Sequence, residues 1–210
     1  MGFAKDERRA LCDALLEVGP EAPTLCEGWD AHDLAVHVWI RENDPLAVSG
    51  AFIKPLAGLT ESRSEAIRKR WMYAELVDRI RRGPGLVSPF ALPGVDELAN
   101  TGEFFVHTED VRRPAGLSPR DMGADFEEYV AKSLATMAKP LMRDASCGIV
   151  FERTDVPETL RVKPGGSTVT VAGKPSELLL FAFGRMADAD VELIGEPATL
   201  AKLTATHRGF

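Results

Sequence analysis

Apolar residues recur at helical spacing through the first two-thirds of this chain and alternate after Asp144, and that change of period sets the fold class. Leu11, Leu15 and Leu16 mark a helix over Ala4–Val18 that stops at Gly19-Pro20. Asp30 is a good N-cap for a second helix, which runs to about Asn43 before Pro45. Ile67, Trp71, Leu76, Val77 and Ile80 share the inward face of a third, Ser62–Arg82, closed by Gly83-Pro84. A fourth spans Asp96–Arg113 before Pro114, and a fifth Ala124–Met142, with Pro140 kinking or ending its last turn. Beyond it Ile149–Arg153, Thr159–Lys163 and Thr168–Val171 read as strands, with Pro164-Gly165-Gly166 turning between the last two. Ser176–Met186 reads as a buried amphipathic helix, Val191–Ile194 as a strand, and Pro197–Thr206 as a helix with proline in its first turn. The expected class is α+β, with a helical unit at 1–144 and a small α+β unit at 145–210.

Charge narrows the partners. The formal net charge is -7 and the isoelectric point near 5.2, so phosphate backbones and anionic lipid are repelled; neither nucleic acid nor membrane is expected. The basic run Arg63–Arg82 is interleaved with Glu65, Glu75 and Asp78 at helical spacing and reads as a solvated face. The first ten residues lack the apolar region of a secretory signal, and Leu178–Phe183 is too short to cross a bilayer. Cys12, Cys26 and Cys147 form no CxxC pair and read as reduced, buried thiols of a cytoplasmic protein. Two connections, Asp44–Glu61 and Gly83–Val95, are long for a helical bundle and carry apolar residues (Phe52, Ile53, Leu56; Leu86, Val87, Phe90, Leu92) suited to a lid or to simple packing.

The chain has four histidines: His32, His37, His107 and His207. Glu103 and His107 are four apart on one expected helix, with Cβ atoms about 5–6 Å apart, which suits two ligands of one metal ion. Phe104, Phe105 and Val106 flank them, so part of that helix is buried, and buried carboxylate and imidazole need partners. His37 is the natural third ligand. It lies seven residues beyond Asp30 and Glu103 seven beyond Asp96; in an up-down-up-down bundle the second and fourth helices run parallel, placing both about 10 Å from their helix starts. His32, about 140° around the helix from His37, points elsewhere. A His/His/Glu set leaves one coordination position open, the pattern of a catalytic zinc site. No HExxH, glycine-rich phosphate loop, GxSxG or paired ExxH motif is present. Asp33 and Asp110 read either as carboxylates orienting the imidazoles or as surface charge. Trp29, Trp39 and Trp71 read as core or loop anchors.

The stretch Leu25-Cys26-Glu27-Gly28-Trp29-Asp30-Ala31-His32-Asp33-Leu34-Ala35-Val36-His37 resembles the GW…DL..H signature of the DinB-like superfamily. Within it the chain is most similar to the actinobacterial branch around mycothiol-dependent maleylpyruvate isomerase, whose E…H..D element resembles Glu103 to Arg113. The resemblance implies an N-terminal four-helix bundle holding its metal through His37, Glu103 and His107. Val171–Leu180, Gly184-Arg185 and Val191–Gly195 resemble the small sterol-carrier-like domain appended in that branch.

Three functions follow as expectations. In the first, zinc or another divalent ion binds a small thiol such as mycothiol as its thiolate, for isomerase or S-transferase chemistry on a small electrophile. Arg185 would hold the substrate's carboxylate, or is a surface arginine ending a helix. In the second, the fold keeps its metal and serves a non-catalytic binding role. In the third, Glu103 and His107 share only a buried hydrogen bond.

Overall fold

A computed structural model describes residues 2–44, 57–85, 88–92 and 94–206, divided into two units, Met1–Pro119 and Arg120–Phe210. In chain order the first unit carries α1 (Phe3–Val18), α2 (Ala31–Asn43), α3 (Ala57–Arg70), α4 (Tyr73–Arg82), a 3-10 turn at Pro89–Ala91, and α5 (Val95–Arg112). The second carries α6 (Ala124–Leu141), β1 (Gly148–Arg153), β2 (Thr159–Lys163), β3 (Thr168–Gly173), α7 (Pro175–Ala182), β4 (Glu192–Ile194) and α8 (Pro197–Thr206). The class is α+β, as the change of period requires.

The core of the first unit forms where the apolar stripes of its helices meet. Leu11 and Leu15 of α1, Leu34 of α2, Leu76 and Ile80 of α4 and Phe104 of α5 are almost wholly buried there. Each contributes on the order of 1.5–3 kcal/mol of apolar burial. The sequence period suggested one helix over Ser62–Arg82, but the chain breaks at Trp71-Met72 and starts again at Tyr73. The break lets Trp71 meet Trp39 edge-on (ring centroids 4.8 Å apart) and lie under the guanidinium groups of Arg70 and Arg79. The basic run is a paired, partly solvated face: Lys69 with Glu65, Arg79 with Glu75 and Arg82 with Asp78 at i,i+4 spacing.

Beneath this core runs a buried polar chain. Arg8 donates to both oxygens of Glu42 (2.5 and 2.6 Å), and Asn100 Nδ2 donates to Glu42 and to Asp96 (2.9 and 2.6 Å). The Arg41 guanidinium closes it, donating to the Asn100 side chain and to the Ala99 carbonyl.

The sheet of the second unit has order β2-β1-β3-β4, with β1 and β3 parallel and the outer pairs antiparallel. Pro164-Gly165-Gly166 thus carries the chain past the end of β1, not into a hairpin. Gly165 and Gly148 are forced by that crossing: a Cβ on Gly148 would meet the Gly165 nitrogen at 2.9 Å. Phe151 and Phe181 meet edge-on across the sheet–helix interface. All eight residues of α7 are buried, and Glu127 of α6 accepts from the Ser176 amide and hydroxyl (both 2.8 Å), closing the first turn of α7.

The change of period places the fifth helix in the helical unit, 1–144. In the structure that helix, α6, packs on α7 and β2, so the units part at Pro119. Phe52, Ile53, Leu56, Leu86, Val87 and His207 lie outside the described residues.

Candidate metal centre

Local capping sets the phase of α2. Asp30 accepts from the Asp33 amide (2.8 Å) while Asp33 accepts from the Asp30 amide (3.2 Å), a capping box that fixes the first turn. Arg68 binds both carboxylates from outside. Asp33 is therefore committed to the cap. With the phase fixed, Leu34, Ala35 and Val38 enter the core, His32 packs edge-on against Tyr73 (5.3 Å), and His37 turns toward α5. The two histidines part as their angular separation requires.

On α5, Phe104, Phe105 and Val106 are buried, and Glu103 and His107 stand one turn apart on the same face. The three expected side chains converge. His107 Nε2 lies 3.2 Å from Glu103 Oε1, His37 Nε2 lies 3.6 Å from the same oxygen, and the candidate ligating atoms of all three fall within 4.8 Å of one another. Donors arranged tetrahedrally at about 2.0–2.1 Å from a zinc ion lie roughly 3.3 Å apart, so spacing and donor chemistry both fit such an ion. His107 is nearly buried and His37 is 35% exposed, so the cluster opens to solvent on the His37 side.

The route by which the three meet differs from the expected one. From His37 to Arg41 and Glu42 the α2 side chains pair with progressively earlier α5 residues, from His107 and Glu103 to Asn100. The helices are antiparallel, whereas equal spacing from the helix starts assumed parallel ones. His37 and Glu103 meet regardless, because each lies near the middle of its helix, where both orientations give the same level.

Around the cluster the charges are arranged to hold it. Burial disfavours the Glu103 carboxylate, but hydrogen bonds from His107 and His37 and the charge of Arg41 (Nε at 3.2 Å) outweigh that and hold its pKa well below the usual range. Burial likewise works against a charged His107, but Asp110, Cys26 and Glu103 overcome it and push its pKa well above the ordinary histidine value. His37 is pushed down, by burial first and then by the neighbouring His107 and Arg41. Trp29 packs on the His37 ring (5.1 Å), and the His37 and His107 rings meet edge-on at 5.3 Å.

Two partners were not picked out as such by sequence reasoning. Arg41 lies four residues after His37, a spacing that could have signalled a shared face. Cys26 comes from a loop, where no periodicity applies; its thiol donates to Asp110 Oδ2 at 3.3 Å. Asp110, a candidate orienting carboxylate by its spacing from His107, accepts from His107 Nδ1 at 2.9 Å. Arg185 belongs to the second unit, where it is buried just beyond α7 with Nη1 donating to the Phe183 carbonyl; it is not a surface arginine.

Fold and site together define a class: a helical unit carrying a His/Glu/His cluster, followed by a small unit with a mixed four-stranded sheet. The chain shares its fold with a crystal structure of a mycothiol-dependent maleylpyruvate isomerase, at TM-score 0.55 and 17% identity over 92% of this chain and 91% of that one. A mutant form of a mycothiol-dependent maleylpyruvate isomerase also matches, at TM-score 0.47 and 16% identity over 92% and 91%. No family model and no curated protein matches the sequence. No helix among the described residues is long and apolar enough to cross a membrane.

Proposed function

We propose that this protein holds one divalent metal ion, zinc by the chemistry of the donors, and uses it with a small thiol in isomerase or S-transferase chemistry. The observation that carries the reading is the convergence of His37, Glu103 and His107 at zinc-ligand spacing on a cluster open on one side. Bound there, zinc supplies the Lewis acidity that keeps a thiol ionised at neutral pH. Glu103 brings the anionic charge that balances the ion, Arg41 keeps that carboxylate ionised and aimed, and Trp29 holds the half-buried imidazole of His37. In this reading the units correspond to a DinB-like four-helix bundle with a broken third helix and to a sterol-carrier-like domain. The thiol is mycothiol or a relative, and the substrate is a small electrophile. The shared fold with a mycothiol-dependent isomerase supports the choice of thiol chemistry.

One observation favours a second reading. Protonated His107 between Glu103 and Asp110 is a buried ion-pair network whose charges are satisfied without a metal. Cobalt titration separates the two. In the cobalt-loaded protein a small thiol should produce a saturable sulfur-to-metal charge-transfer band that strengthens with pH as thiolate forms. Cobalt binding without any response to thiol would leave a metal protein with no thiol chemistry. Failure to bind cobalt would favour the ion-pair reading.

A further inference from the structure

The loop between α1 and α2 reaches the far side of the metal centre. Leu25 donates its amide to the Asp110 carbonyl (3.0 Å), and Cys26 donates its thiol to Asp110 Oδ2 (3.3 Å). That same oxygen accepts from His107 Nδ1 (2.9 Å). Asp110 is fully buried and Cys26 nearly so. The line Cys26–Asp110–His107 approaches the imidazole through Nδ1, the nitrogen opposite the one facing Glu103 and His37.

We propose that Cys26 and Asp110 are positioning residues for the metal centre: Asp110 fixes His107 with its proton on Nδ1 and Nε2 free for the ion, and the Cys26 thiol fixes Asp110. The inference rests on the metal-binding reading above. Thiol chemistry suits the outer place. A buried carboxylate needs donors, and lysine or arginine there would cancel much of the charge that makes the imidazole a strong ligand. A thiol is a weak neutral donor, which fills a lone pair and leaves the charge directed at His107. It is also compact enough to lie within the packed junction between the loop and α5. Trp29 of the same loop lies on His37, so one segment supports both histidine ligands.

The test uses the full chain and zinc itself. Zinc affinity is measured by chelator competition for wild type, Asp110→Asn, Cys26→Ala, Cys26→Ser and a thiol control, Cys12→Ala, whose sulfur is turned to the Val77 carbonyl. Thermal unfolding of the metal-free forms is recorded alongside. Asp110→Asn, nearly isosteric, should weaken zinc binding about 10- to 100-fold, the range for partners of a ligating imidazole. Cys26→Ala should weaken it several-fold, Cys26→Ser should restore most of that loss by supplying a hydroxyl donor, and Cys12→Ala should bind as wild type. A second measurement needs no variant: the long-range 1H–15N spectrum of the zinc-loaded wild type should show His107 protonated on Nδ1. Wild-type affinity in Asp110→Asn and Cys26→Ala would overturn the relay while leaving the site intact; a His107 protonated on Nε2 would overturn the relay and remove that nitrogen from the ligand set. Equal losses in Cys26→Ala and Cys26→Ser would overturn the donor role of the thiol. Wild-type protein that takes up no zinc would overturn the relay together with the metal reading on which it rests.

Discussion

Replacing Arg8 with methionine tests whether the buried Arg8–Glu42–Asn100 chain holds the helical unit together. Arg8 and Glu42 form a bidentate pair with side chains only 5% and 1% exposed, so solvent screens it little. Nη1 also donates to the Ile80 carbonyl (3.1 Å), and the guanidinium lies 4.5 Å from the Phe104 ring centre. Methionine roughly keeps the volume, so the cost is electrostatic: Glu42 remains buried with its cationic partner gone. Removing one member of such a pair costs about 3–5 kcal/mol. The contact to the part-exposed Asp96 adds little. We expect a loss of about 4 kcal/mol, which for a urea slope of ~2 kcal/mol/M lowers the midpoint by about 2 M. All three tryptophans (Trp29, Trp39, Trp71) lie in the first unit, so their fluorescence follows its unfolding alone. Arg8→Met combined with Glu42→Leu should recover at least half of the loss, because no buried charge is then left without its cation. A single variant that costs less than about 1 kcal/mol, or a double variant less stable than the single, would show that the buried Arg8–Glu42 pair does not hold this unit together.

Further outcomes follow from the same geometry. His37→Ala should weaken zinc binding by more than the roughly 100-fold typical of an outer partner, whereas His32→Ala should leave it unchanged, as read by chelator competition; equal losses would contradict the observed phase of α2. Burial raises the Asp30 pKa, but Arg68 and the Asp33 amide outweigh it and lower it to about 2 from an ordinary 3.8. Its stabilisation is therefore full above about pH 4 and lost as pH falls toward 2; Asp30→Asn should be less stable by about 1 kcal/mol at neutral pH, after allowing for partial exposure, with the gap closing in acid. A constant gap across that range in urea titrations would assign the effect to the cap hydrogen bond instead.

Much of this architecture was legible from the sequence because local chemistry decided it. Thr159–Lys163 and Pro197–Thr206 fall where a Pro-Gly-Gly turn and an N-terminal proline place them, and Asp30 caps α2 as its position suggested. Glu103 and His107 could be paired, and His37 chosen over His32, because helical spacing and angular separation are properties of a single helix; that His37 and Glu103 also meet across two helices follows from their central positions. What was hidden depended on tertiary packing. The break at Trp71-Met72 has no proline or glycine to mark it; it is accompanied by the Trp39–Trp71 contact. The assignment of α6 to the second unit and the antiparallel course of α2 and α5 are likewise set by packing, which periodicity does not encode. Cys26 reaches Asp110 across 84 positions of sequence, from a loop with no repeat to read.

The proposed function requires that His37, Glu103 and His107 form a metal site and not merely an ion-pair network. Elemental analysis of protein purified without added metal or chelator tests it directly. About one zinc, or one zinc-replaceable divalent ion, is expected per chain, as a three-ligand centre implies. A fully folded chain that carries no metal and takes up none on titration with zinc would contradict it.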